Sequence, residues 1–132
     1  MNKLVIGIVV FFGLGSETAI WAGAGDQGQQ AYLQYCASCH GKEGRGNGPV
    51  SPYLEIKVPD LTLLKRNNKG IYPTAKVMSA IDGSRIVRAH GDREMPVWGE
   101  IFRREAEPAK YTELTSLLKT KMIAEYVATL QR

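Results

Sequence analysis

Cys36-Ala37-Ser38-Cys39-His40 is the stretch on which the fold of this 132-residue chain turns. In Cys-x-x-Cys-His each thiol can add across a porphyrin vinyl group while the following imidazole takes the iron from one side, the pattern of covalent c-type haem attachment. Positions i, i+3 and i+4 of a helix share a face, so Cys36, Cys39 and His40 would address one planar ligand together. Other uses of the two thiols fit the chain less well. A thioredoxin-type redox disulfide needs a βαβ setting, and the flanks read as helix followed by Gly-rich loop. A structural zinc site wants four ligands; the chain offers Cys36, Cys39, His40 and His90, with neighbouring Cys39 and His40 badly placed for one tetrahedral ion. A disulfide across two intervening residues would close too tight a loop to stabilise much by chain entropy.

Upstream, Met1-Asn2-Lys3, the apolar run Leu4 to Leu14 and Ala22-Gly23-Ala24 supply a basic n-region, a short h-region and an Ala-x-Ala site. Residues 1–24 therefore read as a secretory signal cleaved after Ala24. The run is short and Gly-broken for a membrane span, and an uncleaved anchor is the competing reading because Ile20-Trp21 extends its apolar character. Haem is attached to such motifs after export in bacteria, so the expected compartment is the periplasm, free or tethered at the outer face of the inner membrane. Residues 25–132 then make one small domain, whose core a covalently held macrocycle would help complete.

Along that domain, residues 27–39 read as a first helix with Asp26 as N-cap, running into the haem motif. Seven Gly and Pro residues between Gly41 and Asp60 exclude regular structure there. Short helices are expected at 61–66, after Asp60, and at 73–81, opened by Pro73 and closed near Gly83. Residues 83–99 read as irregular, and charged Glu100 to Lys110 as an extra turn or loop before the last helix. In 111–130, Leu114, Leu117, Leu118, Met122, Ile123, Tyr126, Val127 and Leu130 recur at three- and four-residue steps, the mark of an amphipathic helix. No segment alternates as a strand does, so the fold class is all-α.

With His40 on one side of the iron, a second axial ligand is wanted. Met122 lies on the apolar stripe of the last helix and Met78 between Val77 and Ile81, where packing accounts for both. Met95 is different: Pro96 disfavours helical geometry at this residue, and no core stripe explains a thioether between Glu94 and Pro96-Val97-Trp98-Gly99. Met95 is thus the candidate sixth ligand. His90 is the competing one, on an Arg-rich stretch where a solvated surface group is the plainer reading.

These residues, in this order, resemble a class I cytochrome c of the small monohaem bacterial type. The resemblance rests on Gly28 and Tyr32 in the first helix, Cys36 to Gly41, Gly46-Asn47-Gly48-Pro49, Met95-Pro96-Val97-Trp98-Gly99, and Tyr126 in the last helix. It implies the cytochrome c fold, with N- and C-terminal helices crossing and loops wrapping one covalently attached haem c. It further implies that the Pro49 carbonyl accepts a hydrogen bond from the far nitrogen of His40. Gly28 would let the first helix pack tightly across the last, with Tyr126 at the crossing. Trp98 would line the haem pocket, packing on the haem or donating its indole N–H to a propionate, and a core-aromatic role competes. Arg85, Arg88 or Arg93 would neutralise propionates, or form a solvated basic loop.

The expected function is one-electron transfer, with iron held by His40 and Met95 and cycling between Fe(II) and Fe(III). No triad, acid–base pair or phosphate loop appears, so a carrier is expected and not an enzyme. The alternatives are a cytochrome subunit of a larger periplasmic dehydrogenase or oxidase complex, and a five-coordinate gas-binding or sensor cytochrome. The formal charge is +4, unchanged by removing Lys3 and Glu17 with the signal. A mild positive field favours redox donors and acceptors with acidic docking surfaces, and allows peripheral association with membrane respiratory complexes. Nucleic acid is not expected, since no aromatic-basic recognition module is present.

Overall fold

The computed structural model describes residues 23–84, 95–108 and 110–132. They form helices α1 (Ala24–Tyr35), α2 (Ala37–His40), α3 (Leu64–Asn67), α4 (Thr74–Asp82), α5 (Trp98–Ala106) and α6 (Thr112–Thr129), with 3-10 turns at Ser51–Tyr53 and Leu61–Leu63. No strand occurs among the described residues, and the fold is all-α, as expected of a cytochrome c.

The first and last helices meet at Gly28. A Cβ on this residue would stand 2.4 Å from the Met122 carbonyl oxygen and 3.3 Å from the Tyr126 Cβ, so the close approach of α1 to α6 depends on the missing side chain. One turn on, the fully buried Tyr32 ring lies 5.2 Å from that of Tyr126, and its hydroxyl donates to the Gly41 carbonyl at 2.7 Å. The crossing is therefore tied directly to the loop that leaves the Cys-x-x-Cys-His segment. Asp26 is not the N-cap: Gly23 holds that position, and the Asp26 N–H already donates to the Gly23 carbonyl at 2.9 Å. Its carboxylate lies inside the first turn, where it complements the helix dipole.

Two expectations about the C-terminal half need correction. The stretch Trp98 to Ala106, expected as the end of an irregular segment and an extra turn or loop, is the nine-residue helix α5. Trp98, Ile101 and Phe102 give it an apolar stripe, and Glu100 pairs with Arg103 at 2.6 Å and Arg104 at 3.7 Å. On α6, Leu114, Leu117 and Leu118 face outward at about half exposure, whereas Ser116, Thr120, Ile123, Ala124 and Val127 are buried. The reason is the close seam between α5 and α6: the Ser116 hydroxyl donates to the Gly99 carbonyl at 3.2 Å, and small groups at the contact turn the leucines away.

Tyr72, just before α4, donates its hydroxyl to the Ala124 carbonyl of α6 at 2.7 Å. At the chain end, the Gln131 amide donates to the Leu61 carbonyl while its oxygen accepts from Lys65 N–H, both at 2.8 Å. The core so enclosed includes Tyr32, Ile81, Phe102, Ile123 and Val127, and reaches the first thiol, Cys36.

Candidate functional site

Cys36 is a one-residue turn between α1 and α2, with φ −114° and ψ −35°. Its N–H donates to the Tyr32 carbonyl at 2.8 Å, and its carbonyl accepts from His40 N–H at 2.9 Å. The i to i+4 relation expected for the motif thus holds across it. Both thiols are free. Burial, with a smaller contribution from Cys39, pushes the Cys36 thiol up to about 12, so it is neutral at physiological pH.

Two adjoining spaces open beside this segment. The larger, about 310 Å³, is walled by aliphatic side chains that include Leu61, Leu64, Val77, Ile81, Ile123 and Val127. The smaller, about 50 Å³, is walled by Tyr35, Leu54, Ile56, Val58, Pro96 and Trp98, with Cys39 at its edge. Cys36, His40, Pro59 and Met95 line both. The chain segments 36–40 and 95–98, far apart in sequence, therefore share one apolar recess.

Met95 is half-buried against the core, while Met78 and Met122 line neither space. Trp98 opens α5, its ring 5.4 Å from Tyr35 at 63° and 6.0 Å from Phe102 at 26°. It lines the smaller space and is part of the aromatic packing at once. Pro49 is exposed and lines neither space, standing with Leu33, Ser38 and Gly41 along an outer groove. It is held there by Gly48 N–H donating to the Cys39 carbonyl at 3.0 Å and Val50 N–H to the Ser38 carbonyl at 2.9 Å. These bonds lay the loop on the backbone of α2, so Pro49 belongs to the support behind the motif and not to the cavity wall. His90, Arg85, Arg88 and Arg93 lie outside the described residues.

Sequence reasoning passed over several wall residues. Tyr35 immediately precedes Cys36 and lines the smaller space. Lys76 lines the larger space, spaced one turn from Pro73 and Ala80 along α4. Leu54, Ile56 and Val58 alternate within the Gly- and Pro-rich segment, a signal that an apolar surface lies on one side of that loop.

Two thiols, an imidazole, a thioether and aliphatic walls in one recess suit a flat apolar macrocycle attached through thioethers and ligated at iron. The family model described as cytochrome C oxidase, cbb3-type, subunit III matches residues 23–110. The chain belongs to this family of c-type cytochrome domains. No curated protein and no solved structure matches it. The matched part of this cytochrome domain holds the Cys-x-x-Cys-His segment, the Met95 loop and α5, and ends just before α6.

Proposed function

We propose that the chain is a periplasmic monohaem cytochrome c, a one-electron carrier whose haem is held by Cys36 and Cys39 and ligated by His40 and Met95. The observation that carries this reading is the meeting of Cys36, His40 and Met95 in one recess with almost wholly apolar walls. Bound haem supplies the Fe(III)/Fe(II) couple, and His/Met ligation raises its potential. The chain's own residues hold and enclose. Cys36 and Cys39 anchor one edge. His40 is kept in place by α2 and by the Gly46–Val50 loop laid on its backbone, with the Pro49 carbonyl as the proposed acceptor for its far nitrogen. Leu61, Val77, Ile81 and Ile123 keep water from the recess, and Lys76 offers a cation at its wall for a propionate. Residues 1–24 act as the export signal, and donor and acceptor are redox proteins with acidic docking surfaces.

A second reading has one observation in its favour: the matching family is described by an oxidase subunit, so the domain would pass electrons within a fixed membrane-associated assembly. Isolation of the native complex distinguishes a bound subunit from a free carrier. Optical and resonance spectra of the purified holoprotein test the site itself. Low-spin His/Met iron that leaves carbon monoxide unbound in the ferrous state is expected, with Met95→Ala opening the iron to carbon monoxide. A protein without haem overturns the proposal, and a Met95→Ala variant with an unchanged low-spin spectrum overturns the ligand assignment.

A further inference from the structure

Behind the aromatic wall of the cleft lies an ion pair that the electron-carrier reading does not use. Lys119 of α6 places its Nζ 2.9 Å from Glu105 Oε2 of α5, and the same oxygen accepts the Tyr35 hydroxyl at 2.8 Å. Nζ also stands 4.9 Å from the centre of the Phe102 ring and 5.3 Å from that of Tyr35. Tyr35 lines the cleft; Phe102, fully buried, stacks on Trp98, which lines it too. The ammonium therefore rests against Tyr35, which lines the cleft, and against Phe102, which stacks on the cleft-lining Trp98.

Its surroundings keep it charged. The Lys119 side chain is 26% exposed and that of Glu105 39%, so the cation is the more enclosed partner. Burial disfavours the ammonium, but the Glu105 carboxylate and the Tyr35 hydroxyl outweigh it and raise its pKa. Glu105 is held low by the Lys119 hydrogen bond, against some burial, with Tyr35 adding to the effect. The rings accept the cation over their faces while Glu105 pairs with it.

We propose that Lys119 and Glu105 are a fixed charge pair that sets the reduction potential of the cofactor in the cleft, Lys119 raising it and Glu105 lowering it, with Tyr35 as the positioning residue that holds Glu105. The inference rests on the haem reading. Reduction of the ferric iron takes one electron from a donor couple and adds one negative charge to the recess, so a nearby fixed cation favours the reduced form and a fixed anion the oxidised form.

Midpoint titration of the holoprotein against redox mediators, at constant pH and salt, tests the pair through Lys119→Met, Glu105→Gln, the double variant and Lys119→Arg. Lys119→Met should shift the equilibrium about three- to tenfold toward the oxidised form, tenfold corresponding to ~59 mV for one electron. Glu105→Gln should shift it the opposite way, the double variant should lie between the two, and Lys119→Arg should match the parent. Potentials that all fall together, as they would if the substitutions merely opened the cleft to water, overturn the proposal, as do potentials that do not move. Because Glu105 is exposed and its replacement isosteric, that arm survives a Lys119→Met protein that fails to fold. A parent protein lacking haem defeats the haem reading instead, so the two failures are distinct.

Discussion

Asp60 ties the turn at Leu61–Leu63 to Arg132 with one carboxylate. Oδ1 accepts from the Thr62 N–H at 2.9 Å and the Thr62 hydroxyl at 2.5 Å, and Oδ2 pairs with Arg132 at 3.0 Å. The bonds from Thr62 lead, partly opposed by burial, and with Arg132 they hold the carboxyl below its ordinary 3.8. The unfolded chain thus takes up this proton at a higher pH than the folded one, so the stabilisation is present above the unfolded pKa and is lost as pH falls through the folded one. Asp60→Asn should cost about 1 kcal/mol at neutral pH, in the middle of the range for a lost cap. It should also flatten the acid limb of a urea-midpoint profile as the pH falls below about 4. Parallel acid limbs for the parent and the variant would show that Asp60 does not carry this dependence. The capping role was legible from Asp60 preceding an apolar run; the bond to Arg132 was not, because 72 residues separate the partners.

At the scale of elements, periodicity located α6 within about a residue at each end but misjudged which side of it is buried. Eight apolar positions at three- and four-residue steps imply that all face inward, yet a helix in contact with neighbours through small residues is oriented by the closest approach. Gly28 draws α1 onto Met122 and Tyr126, and Ser116 reaches Gly99 on α5, so the first half of α6 buries Ser116 and Thr120 and exposes three leucines. The consequence is measurable by denaturant unfolding. Leu117→Gln and Leu118→Gln should each change stability by less than about 0.5 kcal/mol, as surface substitutions do. Ile123→Ala should cost about 2–5 kcal/mol, because Ile123 is 1% exposed and also walls the larger space. Equal costs for Leu117 and Ile123 would contradict the orientation of the helix. α5 was missed for a related reason: its stabilising partners are charged residues along its own length, which read as loop until their i, i+3 and i, i+4 spacing is matched with Trp98 and Phe102 on the other side.

For the molecule as a whole, the recess and the core are one structure. Cys36, Ile81, Ile123 and Val127 belong to both, so whatever fills the recess also supports the packing of α1, α4 and α6. The attachment motif was readable in five residues; the walls were not, because they come from the 54–61 loop, α4, the Met95 loop and α6, and only folding assembles them. Left unfilled, this recess of about 310 Å³ would leave aliphatic side chains that also belong to the core facing water, losing the burial that stabilises a small domain. Gly28, Met122 and Tyr126 lie outside this space, so the α1–α6 crossing at Gly28 is the contact that can persist without a cofactor, even though Tyr32 one turn on lines the space. A Cys36→Ala/Cys39→Ala protein, unable to retain haem covalently, should therefore keep much of its far-ultraviolet helical signal while losing near-ultraviolet dichroism and a cooperative melt. If the same variant, shown to be haem-free, melts cooperatively at the temperature of the holoprotein, the core does not depend on the recess being filled, and the coupling between cofactor and fold argued from the shared residues is wrong.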